Sequence, residues 1–185
     1  MIIKWFGQTA IQIKSKNRIV VVDPFSDKTG LEMPKLRADI LALTKDNELI
    51  DSKSVKSRKK RELFNITYPG EYEVSGVMVT SVKTKKDVTI YKFFSENISV
   101  GHLGTINQEE LTEKQIDQLG KIDILFIPVG NKEATNGEQA IEIAQQIEPR
   151  IVVPFYYQID GLKNELDPVN KFLKNEGVKD LEINF

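Results

Sequence analysis

Cysteine is absent from the 185-residue chain, and histidine occurs once, at His102. The first absence excludes disulfides, thiolate metal ligands and a cysteine nucleophile. The second leaves too few imidazoles for a zinc site built from several histidines within one chain. No apolar run is long enough for a membrane span. The opening MIIKWFGQTA lacks the apolar core and cleavage pattern of a signal peptide, so a cytoplasmic protein without membrane association is expected. There is no G-x-S-x-G, no P-loop and no G-x-G-x-x-G, so serine hydrolase, nucleotidase and dinucleotide-binding readings have no motif behind them.

What is present is the composition of a globular domain, 40% apolar and 29% charged residues, at a length that predicts a single domain over residues 1–185. The net charge of −1 hides an asymmetry: residues 1–100 hold 18 basic against 12 acidic side chains, and residues 101–185 hold 8 against 15. Much of the basic excess is in Lys53 to Arg61, where six of nine residues are Lys or Arg. A nucleic-acid patch is one reading of that stretch; a solvated loop is favoured, because no aromatic is interleaved for base stacking.

Period-two patterning predicts strands at Ile2 to Phe6 and Ala10 to Lys14, and a buried strand at Ile19 to Val22 ending at Asp23-Pro24. Phe25 to Leu36 reads as loop. Ile40 to Leu43 is a continuous apolar run that ends in Thr44 and the charged turn Lys45 to Asp51, where a strand end would present chemistry. Further strands are expected at Leu63 to Tyr68, Tyr72 to Val74, Val77 to Val82, Val88 to Phe94 and Ile98 to His102. Thereafter helices alternate with strands. Thr112 to Gln115 has capping-box form with Gly120 as stop, and Asn136 can cap a helix whose Ala140, Ile143, Ala144 and Ile147 share a face. Asp167-Pro168 opens a third helix ending at Gly177. Ile122 to Ile127, Ile151 to Val153 and Leu181 to Phe185 read as strands. Mixed sheets covered by helices follow from this order.

The ordered set Gly7-Gln8-Thr9, Val22-Asp23-Pro24-Phe25, Ala38 to Thr44, Pro69-Gly70-Glu71-Tyr72-Glu73-Val74, His102-Leu103-Gly104, Ile122 to Gly130 and Pro149 to Pro154 resembles the metallo-β-lactamase superfamily. Within it, the set is similar to the small bacterial branch of zinc-dependent hydrolases. The resemblance covers nearly the whole chain and implies an α/β four-layer αββα sandwich with two mixed β-sheets. It makes Glu71 and Glu73 scaffold rather than an acid–base pair.

The departures fall on the chemistry. Where the resemblance implies a His-x-His-x-Asp-His run after Thr44, this chain has Lys45, Asn47, Leu49 and Ile50. The later histidine aligns with Lys86, the bridging aspartate with Thr105, the last histidine with Tyr156, and the first glycine-histidine pair with Gly7-Gln8. None is a good zinc ligand, and a protonated lysine repels a cation. The expectation is a pseudoenzyme that has lost its dinuclear zinc site, takes no cofactor, and acts as a binding or scaffolding module for a protein or a small anion. Lys45, Lys86 and Tyr156 would face one another across the vestigial site and could bind that anion. Two alternatives stand beside it. One is a metal-dependent hydrolase with a remodelled site, using Asp46, Glu48, Asp51 and His102 with a hard cation; the other is nucleic-acid association through Lys53 to Arg61. A strand-end hydrogen bond is the competing role for His102.

Overall fold

The computed structural model describes residues 1–16, 18–58 and 62–175. Strands β1 (Ile2–Gly7), β2 (Ala10–Lys14) and β3 (Ile19–Val22) form an antiparallel meander. The β-branched run of β3 is confined at χ1 and packs well on a pleated surface, which is why four such residues hold a strand through the core. After β4 (Leu36–Ala38), β5 (Ile40–Ala42) lies parallel to β3 with Val21 opposite Leu41. Beyond β6 (Val55–Ser57), β7 (Phe64–Ile66) completes a mixed sheet in the order β1-β2-β3-β5-β7.

The second sheet begins as hairpins: β8 (Gly70–Val74), β9 (Val77–Lys83), β10 (Thr89–Ser95) and β11 (Ile98–His102). Ser75-Gly76 and Glu96-Asn97 close two of these turns with positive φ at both residues, the backbone twist that suits two-residue hairpin loops. Helix α1 (Glu113–Leu119) then leads to β12 (Ile124–Pro128), and α2 (Gly137–Ile147) to β13 (Ile151–Phe155); both strands add in parallel. Thr112 with Gln115, and Asn136 with Gln139, form complete capping boxes, each supplying side-chain partners to amides that the first helical turn leaves without one. Helix α3 (Val169–Asn175) follows.

The two mixed sheets pack face to face around Val20, Val22, Ile40, Phe93, Phe126 and Phe155, where full burial of each large apolar side chain stabilises by about 1.5–3 kcal/mol. The helices cover the outer face of the second sheet through Leu125, Ile127, Ile143 and Phe172. Two mixed sheets face to face, with helices over the second, match the layers expected from the sequence. Over the outer face of the first sheet, among the described residues, the covering layer is the parallel pair β4–β6, whose Ala38 and Val55 pack on Val21 and Leu41. No helix among the described residues is long and apolar enough to cross a membrane.

Several sequence expectations need correction. Phe25 to Leu36 contains a short 3-10 turn, Asp27–Thr29, and the start of β4. Lys53 to Arg61 is not a bare solvated loop: it opens in a 3-10 turn (Ser52–Ser54), contributes β6, and Arg58 pairs with Asp39 at 2.8 Å. Leu63 to Tyr68 shortens to β7, and Ile122 to Ile127 begins two residues late. That delay arises because the Asp123 carboxylate accepts from the Ser99 amide (2.9 Å) and hydroxyl (2.7 Å) ahead of the ladder. Residues 59–61 and the expected strand Leu181 to Phe185 lie outside the described residues.

Candidate functional site

A narrow cleft opens where the carboxyl ends of β3, β5 and β13 meet the β1–β2 turn. It is lined by Gln8 and Thr9, by Asp23, Phe25 and Thr29, by Thr44, Lys45, Asn47, Leu49 and Ile50, and by Thr105, Glu133 and Tyr156. Its free volume is about 30 Å³, the space of roughly one water molecule. Larger grooves exist, about 690 Å³ beside β8, β9 and α1 and about 660 Å³ beside Trp5 and Tyr157. The narrow cleft is nonetheless the place where the loops after strands converge, and in layered α/β folds those loops carry function.

At the floor of the cleft, polar groups are buried and satisfied. The Asp23 carboxylate accepts from the Thr44 amide (2.7 Å) and the Thr44 hydroxyl (2.5 Å), and the Thr9 hydroxyl also bonds to it. Burial nevertheless pushes its pKa up to about 6, because desolvation penalises the carboxylate more than these bonds favour it. His102 is fully buried. Its Nε2 donates to the Thr9 carbonyl (2.8 Å), and its Nδ1 accepts from the Gly104 amide (3.2 Å), an arrangement that needs the neutral Nε2–H tautomer. Burial lowers its pKa to about 4. With both ring nitrogens occupied and no surface in the cleft, His102 cannot serve as the candidate general base or metal ligand.

The loop after β5 is tied down rather than free. Ser26 and Asp51 amides bond to the Leu49 and Pro24 carbonyls (2.8 and 2.7 Å), and the Asn47 side chain accepts from the Leu49 amide (2.9 Å). Of the three carboxylates read as a possible cation site, two do other work. Glu48 pairs with Lys28 at 2.8 Å, and Asp51 caps the following 3-10 turn by accepting from the Lys53 amide; Asp46 does not line the cleft. Among the described residues, no three His, Cys, Asp or Glu side chains are grouped to hold a metal ion.

The structure brings Lys45, Asn47, Leu49, Ile50, Thr105 and Tyr156 to one cleft and leaves Lys86 out of it. Lys86 instead bonds outward to the Asn107 side chain at 3.1 Å, since it stands in the turn beyond β9, where Lys83 pairs with Asp87. The expected facing of Lys45, Lys86 and Tyr156 is therefore wrong. The charged group that meets Lys45 is Glu133, 3.9 Å away, a residue the sequence did not single out. Tyr156 is held in a left-handed backbone conformation, and its amide bonds to the Gln8 carbonyl at 3.2 Å. Burial, then the charge of Glu133, raises its phenol to about 12, so it stays protonated. Gln8 is also left-handed, its carbonyl fixed by the Trp5 indole N–H at 2.9 Å. Its side-chain Nε2 is buried with no hydrogen-bond partner.

A β-lactamase superfamily domain model matches residues 2–156. A crystal structure of a candidate zinc-dependent hydrolase of the metallo-β-lactamase superfamily from Thermotoga maritima superposes with TM-score 0.81 at 31% identity, covering 94% of this chain and 84% of that one. The UPF0173 metal-dependent hydrolase of Lysinibacillus sphaericus is 25% identical over 85% of each chain. Igni18, a metallo hydrolase of Ignicoccus hospitalis, shares the fold at TM-score 0.69 and 15% identity over 98% of this chain and 94% of its own. The expectation that the protein goes without a cofactor is corrected by these relatives, whose names point to a metal cofactor in the family. The residues of the cleft do not fit a dinuclear zinc centre: it has no imidazole, its two carboxylates are Asp23, bonded to Thr44, and Glu133, near Lys45, and the rest of its lining is an ammonium, amides, hydroxyls, an aromatic ring and aliphatic chains.

Proposed function

The chain belongs to the β-lactamase superfamily domain family, and on that premise we propose that its cleft binds a small ligand without hydrolysing it, the protein serving as a binding or scaffolding module. The observation that carries this reading is the donor chemistry of the lining. Lys45, Asn47, Thr105 and Tyr156 line the cleft with Gln8, and these side chains hydrogen-bond to a ligand far better than they activate water. His102, the one imidazole, is turned away and satisfied. The test is steady-state turnover of the purified full chain on phosphodiester and lactone substrates with zinc or manganese supplied. No turnover above the uncatalysed rate is expected; turnover that a chelator abolishes overturns the proposal.

Metal-dependent hydrolysis is the second reading, and the names of the relatives favour it. Against it stand the separate engagements of Glu48, Asp51 and His102. The same assay separates the two, because only the second requires chelator-sensitive turnover. Nucleic-acid association through Lys53 to Arg61 has less support: Arg58 is engaged with Asp39 and Val55–Ser57 is a strand. Affinity falling steeply with salt would be its signature.

A further inference from the structure

We propose that the cleft is a receptor for a compact oxyanion, the head of a carboxylate or a phosphate, with Gln8 and Lys45 as its principal donors and Glu133 as an intramolecular stand-in for the ligand. This deepens the binding reading above and rests on it.

Three observations carry the inference. The first is the buried Nε2 of Gln8, which has no hydrogen-bond partner, on a residue that lines the cleft and is only 5% exposed. A buried amide N–H₂ left unmet costs free energy that an acceptor recovers. The Gln8 backbone is anchored at its carbonyl, which accepts from the Trp5 indole and the Tyr156 amide, so the residue is kept at the cleft. The second is the state of Lys45. Its ammonium meets Glu133 at 3.9 Å, the outer limit of an ion pair, with both side chains partly exposed at 37% and 68%. Such a pair is weakly held, and an oxyanion at normal hydrogen-bond distance would displace the Glu133 carboxylate from Lys45. The third is size and supporting chemistry. About 30 Å³ of free space, that of roughly one water molecule, seats a single oxygen of the anion and leaves the rest of the ligand at the mouth. Tyr156 and Thr105 line the same space and add hydroxyl donors.

The cleft contains carboxylates as well as donors, and their arrangement determines why an anion is admitted. Asp23 also lines the cleft, but its two oxygens accept from the Thr44 amide and hydroxyl, so its charge is spread into bonds within the protein. Glu133 is the one that competes, and it does so from an exposed loop. Removing its charge should therefore strengthen binding, whereas a site made for cations would respond in the opposite direction.

The test titrates the full chain with sodium acetate and, separately, with inorganic phosphate at constant ionic strength, following the Gln8 side-chain amide resonances by ¹H–¹⁵N NMR. Saturable shifts with either anion are expected, the stronger response identifying the source of the head group. Glu133→Gln should tighten binding about threefold by removing the weak competing pair. Lys45→Met should weaken it about tenfold, and Gln8→Glu, nearly isosteric, should weaken it by at least about as much. Glu133 and Lys45 are surface groups, so these two variants report on the site without the risk of unfolding. No saturable binding of either anion, or equal affinity in the wild type, Glu133→Gln and Lys45→Met, overturns the inference. Absent binding together with absent turnover sinks the oxyanion receptor alone; chelator-sensitive turnover sinks the non-hydrolytic reading whatever the titration gives.

Discussion

Two sets of residues in the cleft, its floor and its walls, are built on opposite terms, although they are only a residue or two apart in sequence. On the floor, Asp23, Thr44, Thr9 and His102 are buried and hydrogen-bonded to one another or to backbone. In the walls, Gln8 has an unmet donor and Lys45 a distant partner. A satisfied buried network fixes shape, while an unsatisfied one leaves free energy for a ligand to recover. The difference separates the groups that hold the cleft in shape from those left free to meet a ligand.

The frame should break first under steric insult. A Cβ at Gly130 would stand 2.0 Å from the Tyr156 carbonyl oxygen, so Gly130→Ala must move backbone and should cost about 3 kcal/mol or more in denaturant unfolding. Next comes the pH dependence of the floor. Asp23, raised from 3.8 to about 6, binds its proton more tightly in the folded state, so its contribution to stability falls as pH rises through that window. His102, lowered from 6.5 to about 4, acts in the opposite sense: its contribution is present above pH 6.5 and is lost as pH falls towards 4. The two nearly offset each other. Asp23→Asn removes one of them, so the stability of the variant relative to wild type should increase by roughly 2–3 kcal/mol between pH 4 and 6. An unchanged difference across that range would mean the carboxyl is not desolvated as described. Below these effects, His102→Leu strips partners from the Thr9 carbonyl and the Gly104 amide and should cost about 2 kcal/mol. Lys45→Met and Glu133→Gln, in the lining, should stay within about 0.5 kcal/mol of wild-type stability, which sharpens the contrast between holding the fold and holding a ligand.

Much of this is legible in the sequence. Regular period-two alternation and continuous apolar runs located most strands, and the capping signals of Thr112 and Asn136 marked the starts of α1 and α2. The strands β4 and β6 were hidden because each has three residues and Lys, Arg and Ser obscure the alternation. Within the cleft, Lys45, Asn47, Leu49, Ile50, Thr105 and Tyr156 were placed by the resemblance to the metallo-β-lactamase superfamily, which aligns them with its ligand positions. Glu133 did not, since a loop residue beyond β12 carries no sequence signal tying it to the loop beyond β5. Lys86 was misplaced for a related reason: the turn after β9 has neighbouring lysines, and only the i,i+4 pairing of Lys83 with Asp87 fixes which one faces outward. The unmet donor of Gln8 is a property of three-dimensional enclosure, visible in sequence only as a glutamine beside a turn glycine.

The most direct test of the account is a single-turnover experiment with the full chain in excess over a chromogenic phosphodiester and zinc or manganese supplied, because it detects even one slow chemical event per molecule. A cleft that binds without hydrolysing predicts product formation indistinguishable from the protein-free reaction. Formation of one equivalent of product, at a rate that collapses on chelation, would contradict it.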